Sequence, residues 1–75
     1  MPHVTVKVFP GRSEAEKSDL AERITAALTG ALGSTEPSIS IAIEEVPAKE
    51  WIAQVYDPEI RPNLDRLYKK PGYQP

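Results

Sequence analysis

Cysteine is absent from this 75-residue chain. No disulfide can cross-link it, and no thiolate can hold a metal. One His without Cys partners does not make a zinc site, so neither a metal nor another cofactor is expected. Large aromatic side chains are scarce: one Trp, one Phe and three Tyr. A chain of this size forms one small domain, residues 1–75, whose own core rarely supplies more than roughly 3–5 kcal/mol. With disulfides and metals set aside, self-association is the remaining source of stability. Basic excess is lacking too, with 9 Lys and Arg against 11 Asp and Glu and a net charge of −2. A binder of phosphate backbones concentrates surplus Lys and Arg, so nucleic acid is not an expected partner. No apolar run approaches a membrane span, and no charged and apolar leader precedes the first strand-like segment. No membrane partner is expected, and the expected location is the cytoplasm.

What is present begins at the amino end. Met1-Pro2 leads straight into His3-Val4-Thr5-Val6-Lys7-Val8-Phe9. If Met1 is removed, the chain starts with a secondary amine fixed at the edge of a sheet. The pyrrolidine ring sets the direction of the nitrogen lone pair, which a primary amine on a rotating bond does not. Such a nitrogen is a ready general base. If Met1 stays attached, the Pro2 nitrogen is an amide and no base at all.

Val4, Val6 and Val8 alternate with Thr5 and Lys7, which predicts a strand over residues 2–9 with one buried face. Pro10-Gly11 ends it. Ser13-Glu14-Ala15-Glu16 has the capping-box form, so a helix is predicted from Glu14 to Leu32, with Gly33 as its left-handed cap. Leu20, Ile24, Leu28 and Leu32 lie on one stripe of that helix. Ile39, Ile41 and Ile43 alternate with Ser40, Ala42 and Glu44, predicting a second strand over residues 38–46 that Pro47 terminates. Strand, helix, strand makes a βαβ unit of the α/β (α+β) class with parallel strands. Two strands are marginal in water, so oligomerisation is expected to complete the sheet. Trp51 to Tyr56 fits a short strand, a turn or a helical segment. Asp57-Pro58-Glu59 resembles the start of a carboxyl-terminal helix, but Pro62 lacks an amide for its second turn, so this helix either kinks or begins nearer Arg61. Ile60, Leu64 and Leu67 share one of its faces.

Met1-Pro2 before a short strand, Gly11-Arg12-Ser13 opening a helix with Glu16 and Lys17, Ser38-Ile39-Ser40-Ile41 opening the second strand, and Glu45 preceding Trp51 together resemble the 4-oxalocrotonate tautomerase superfamily. Tyr68-Lys69-Lys70-Pro71-Gly72-Tyr73 resembles the longer carboxyl terminus of a dimeric, phenylpyruvate-type subgroup. The resemblance implies an enol–keto tautomerase in which Pro2 is the catalytic base, Arg12 binds the substrate carboxylate and lowers the Pro2 pKa, and Trp51 walls the pocket. As the sole Trp, Trp51 can equally serve the core or a subunit interface. Ser40 stands where the family's prototype carries a second arginine for the far end of a dicarboxylate. A hydroxyl cannot replace that charge, so the implied substrate is a small monocarboxylate such as phenylpyruvate enol, and a homodimer is favoured over a hexamer.

Other residues compete for roles. Arg61 is a candidate substitute for the missing cation, whereas Arg66, Lys69 and Lys70 read as a solvated face. Tyr56 and Tyr73 fit aromatic interface contacts better than a pocket rim. His3, pointing away from Pro2, receives no role. A hydratase, dehalogenase or decarboxylase using the same proline would need an acid to activate water, for which Glu44 and Glu45 are the candidates. A non-catalytic oligomeric binding module on the same fold is the reading from a different class.

Overall fold

The computed structural model describes all residues from 1 to 75 and divides into two compact units, residues 1–45 and 46–75. The first is the βαβ unit. Strand β1, His3–Val8, pairs in parallel with β2, Ser40–Glu45, in the register His3 to Ser40, Val4 to Ile41 and onward to Val8 with Glu45. This register stacks Val4 and Val6 beside Ile41 and Ile43 on one face. His3, Thr5 and Lys7 lie beside Ser40, Ala42 and Glu44 on the other. The second strand starts two residues later than its alternation suggests. Glu36–Ser38 forms a tight 3₁₀ turn in which the Ser38 amide donates to the Thr35 carbonyl and the Ile39 amide to the Glu36 carbonyl. Those amides are spent on the turn, so the ladder opens at Ser40.

Helix α1 runs Glu14–Leu32, as its caps specify. The Glu16 amide donates to the Ser13 hydroxyl at 3.1 Å, and the Ser13 amide donates to the Glu16 carboxylate at 3.0 Å, closing the capping box. At the far end Gly33 takes φ 68°, and its amide donates to the Thr29 carbonyl at 3.0 Å. A residue with a Cβ is disfavoured in that left-handed conformation. Lys17 ties the helix to the sheet, lying 3.5 Å from both Glu14 and Glu45.

No side chain in this first unit is fully buried. Val4, Val6, Val8, Ile41, Ile43, Ile24 and Leu28 are half-buried. Phe9 and Leu32 are 52% and 66% exposed. A two-stranded sheet has an open edge on each strand and cannot cover both its faces.

In the second unit, a 3₁₀ turn at Ala48–Glu50 leads into π-helix over Ile52–Ile60 and then 3₁₀-helix over Arg61–Arg66. The carboxyl-terminal helical region therefore starts before Asp57, correcting the expected start at Asp57 or Arg61. Both prolines are accommodated by a change of pitch. Pro58 sits inside the π-helical stretch, where the wider turn relieves the clash of its ring with the carbonyl four residues back. Pro62 falls in the first turn of the 3₁₀ segment, where an amide has no partner to lose. Val46, Val55 and Tyr56 are the only buried residues, all in this unit, and Ile60, Leu64 and Leu67 are half-buried as their shared face predicts. No helix is long and apolar enough to cross a membrane.

The hydrogen bond from the Ser13 amide, the Ser13 hydroxyl and the Arg12 guanidinium hold the Glu16 carboxyl below its usual 4.5. A carboxyl with a depressed folded-state pKa stabilises the fold above its unfolded value, and this contribution disappears as pH falls through the folded value. Ser13→Ala is expected to cost about 1 kcal/mol at neutral pH. The stability gap between the wild type and Glu16→Gln should be present at pH 7 and shrink as pH drops below about 4.5. Urea denaturation at a series of pH values checks both, and a gap that widens on acidification would contradict the assignment.

Candidate active site

Pro2 sits immediately ahead of β1, and its carbonyl accepts the Ser40 amide at 3.2 Å, so the amino end is tied to the start of β2 by backbone. Met1 extends fully into solvent. Ser40 does not present an unpartnered hydroxyl. Its Oγ lies 2.6 Å from His3 Nδ1, and His3 Nε2 lies 3.3 Å from Thr5 Oγ1. The imidazole is thus held between two hydroxyls on the polar face of the sheet. Sequence reading gave His3 no role because alternation places it opposite Pro2. The cross-strand register, which pairs His3 with Ser40, is the signal that alternation within one strand does not contain.

Arg12 stands just before α1. Its Nη1 is 3.4 Å from Glu16 Oε2, and its side chain is 70% exposed. An exposed i,i+4 pair of this kind contributes only about 0.3–0.5 kcal/mol, so the guanidinium can exchange Glu16 for another carboxylate at small cost. It lines an open hollow with Val8, Leu20, Ile43, Lys17 and Arg23. Pro2 does not line that hollow. The 6 residues of β1 lie between the two groups, and at about 3.3 Å per residue they separate its ends by roughly 20 Å. Within one chain, Pro2 and Ser40 are neighbours and Arg12 is remote from both.

Trp51 opens the helical region of the second unit, half-buried, and donates from Nε1 to the Tyr73 hydroxyl at 3.0 Å. Tyr73 in turn packs on Tyr56, with ring centroids 5.8 Å apart, so the single Trp is bound into an aromatic cluster with the carboxyl-terminal tail. Arg61 caps that cluster. Its guanidinium lies 4.9 Å from the Tyr56 ring centre, and its Nε donates to Asp57 at 3.0 Å. The two acids considered for water activation are both ion-paired, Glu44 with Lys7 at 3.9 Å and Glu45 with Lys17 at 3.5 Å.

Residues 1–45 thus form a parallel βαβ unit with Met-Pro at its head and an arginine just before its helix. Comparison with known proteins supplies the class. The family of tautomerase enzymes matches residues 2–58, a stretch that begins on Pro2 and runs across the boundary between the two compact units. Tautomerase PptA of Pectobacterium carotovorum is 49% identical over 74 residues, covering 97% of each chain. Among solved structures, the 4-oxalocrotonate tautomerase homologue YwhB superposes with a TM-score of 0.60 at 39% identity over 61% of this chain and 75% of its own. A heterohexameric 4-oxalocrotonate tautomerase from Chloroflexus aurantiacus gives 0.65 at 29% identity over 68% and 82%. The chain belongs to the 4-oxalocrotonate tautomerase superfamily, and it is a tautomerase, an isomerase that moves a proton within its substrate.

Because Arg61 already serves Asp57 and Tyr56, Arg61→Ala is expected to lower stability by about 1 kcal/mol, the sum of an exposed cation–π contact and an exposed ion pair. KM for carboxylate enols should stay within about twofold. Denaturation together with steady-state kinetics checks this, and a tenfold rise in KM would place Arg61 in the substrate site instead.

Proposed function

We propose that the protein interconverts the enol and keto forms of a small 2-oxo monocarboxylic acid, such as phenylpyruvate, with Pro2 as general base once Met1 is removed. The pyrrolidine nitrogen takes the enol hydroxyl proton, the C–O bond becomes a carbonyl, and the former double-bond electrons take the proton back from the pyrrolidinium at the neighbouring carbon. The observation that carries this reading is Pro2 itself, set at the head of a paired strand and at the first residue of the family match. Met1 is fully exposed and open to removal.

Arg12 is the candidate for the substrate carboxylate. Charged, forked hydrogen bonds of this kind are worth roughly 1.5–3 kcal/mol, more than the exposed Arg12–Glu16 pair that they would replace. The length of β1 supports a further step: the Arg12 that serves one Pro2 belongs to another copy of the chain. Homodimerisation, with the whole chain acting as one tautomerase domain, then both covers the apolar surface of the βαβ unit and completes the site. Trp51 is proposed as the wall that keeps water from Pro2, and Ser40 as a neutral group near it. With no arginine in β2, monocarboxylates are favoured over dicarboxylates.

A neutral amine is the active form, so kcat/KM should rise with pH through one ionisation and then level off. Removing the Arg12 guanidinium should shift that ionisation upward, because a nearby cation disfavours the ammonium form. A form with mass-verified Met1 attached should remain folded and lose about 10²–10⁴-fold in rate, the usual worth of general acid–base catalysis. Full turnover by that form would eliminate Pro2 as the base.

Assembly has its own measurement. The unfolding midpoint should climb with protein concentration, as for any obligate dimer, and sedimentation should give two chains per particle. A cooperative, folded monomer at micromolar concentration would count against it.

A further inference from the structure

We propose that Glu16 is an internal competitor for the substrate carboxylate: it holds the Arg12 guanidinium in the free protein and must release it when a carboxylate binds, which sets how strongly the site separates acids from neutral ligands. This rests on the Arg12 reading above. Three cations line the hollow beside α1, Arg12, Lys17 and Arg23, and they are engaged to different degrees. Arg23 Nε lies 2.9 Å from Asp19, the length of a charge-assisted hydrogen bond. Lys17 is shared between two carboxylates, Glu14 and Glu45. Arg12 Nη1 reaches Glu16 Oε2 at 3.4 Å, well beyond the charge-assisted length. Of the two guanidiniums, the loosely held one is the one assigned to substrate.

The capping box makes the exchange easy. Glu16 divides its oxygens: Oε1 accepts the Ser13 amide at 3.0 Å, and Oε2 faces Arg12. Release of the guanidinium leaves the first bond in place, and Oε2, on a side chain 55% exposed, turns to water. A carboxylate that bound without this exchange would set two like charges against one cation. The planar fork of arginine can meet an incoming carboxylate with two parallel donors, whereas Glu16 takes a single one. A carboxamide brings no charge to the exchange. Glu16 therefore acts through Arg12 as a positioning residue and does not itself meet substrate. Coupling between the two is reciprocal. The Ser13 amide, the Ser13 hydroxyl and Arg12 hold the Glu16 carboxyl below 4.5. A ligand that takes Arg12 removes one of these influences and adds a like charge, so binding should raise the carboxyl. The other charges around the hollow, Lys17, Asp19 and Arg23, keep the partners named above.

The probes are 2-oxo-2-phenylacetate, which has no hydrogen to enolise and stays ionised throughout the carboxyl range, and its primary amide, each titrated calorimetrically into the assembled protein at pH 7. Arg12→Ala should weaken the acid at least about 10-fold; unchanged binding would remove the Arg12 reading and this proposal with it. Glu16→Gln, whose amide oxygen still suits the capping box, should tighten the acid roughly 2- to 5-fold, the worth of an exposed ion pair. The amide should change little, so the acid-to-amide affinity ratio rises. An equal change in both ligands, which a structural role or altered assembly would give, or weaker binding of the acid, overturns the competition while leaving Arg12 as the carboxylate site. Wild-type protein supplies a readout that needs no variant, the carbon-13 shift of the Glu16 carboxyl followed against pH. Saturation with the acid should raise its pKa and saturation with the amide should not; no change or a fall with the acid overturns the proposal. Neither probe is turned over, so these results stand whether or not Pro2 is the base, which the form with Met1 attached decides separately.

Discussion

Parallel pairing of β1 with β2 is the constraint on which the other features depend. It needs a long crossover, which α1 supplies, and its register places Ser40 against His3 and Pro2 rather than one residue to either side. A slip by a single residue would exchange the faces of β2. Ile41 and Ile43 would then turn to the polar side, and the Ser40 hydroxyl would leave the imidazole. The same pairing makes Arg12 remote, because a strand that aligns Pro2 with Ser40 carries the chain away from both before the helix begins. Fold register and site composition are one decision.

The βαβ unit pairs its strands without burying a side chain. Polar groups are paired in the capping box, the Lys17 ion pairs and the hydroxyl–imidazole contacts, yet each of these contacts is at least partly open to water and individually weak. Apolar burial normally supplies the dominant favourable term, and here much of the apolar stripe of α1 and the valine and isoleucine face of the sheet remains only half-covered. Association is where that surface can still be removed from water. At about 25 cal/mol per Å², even a modest apolar contact area exceeds what the exposed ion pairs contribute.

Most of the fold was legible because its signals are local. Ser13, Glu16 and Gly33 mark both ends of α1 through contacts at most four residues away, and alternation marks both strands. The carboxyl-terminal region was harder for a physical reason. By residue type Pro58 and Pro62 limit where a helix can begin, whereas the backbone passes through both by widening to π and then tightening to 3₁₀, a choice that residue propensities do not encode. The site divides the same way. Pro2 and Arg12 stood out by residue type and position, but the partner of Ser40 depends on a contact 37 residues away in sequence. Nor does a sequence pattern reveal that Arg61, with a charge free for binding in principle, is held by Tyr56 and Asp57.

On the proposed mechanism, catalysis and assembly draw on the same surface. A secondary amine at the end of an exposed strand in water is largely protonated at neutral pH and serves poorly as a base. Two effects can free it, loss of water and a nearby cation. A single βαβ unit offers Pro2 neither, since the residue is half-exposed and its own Arg12 lies at the far end of β1. A second chain can bring both at once by covering the open sheet and presenting its guanidinium. The base would then be formed only in the assembled protein, and the instability of the isolated unit would keep unassembled chains from acting as an unselective amine.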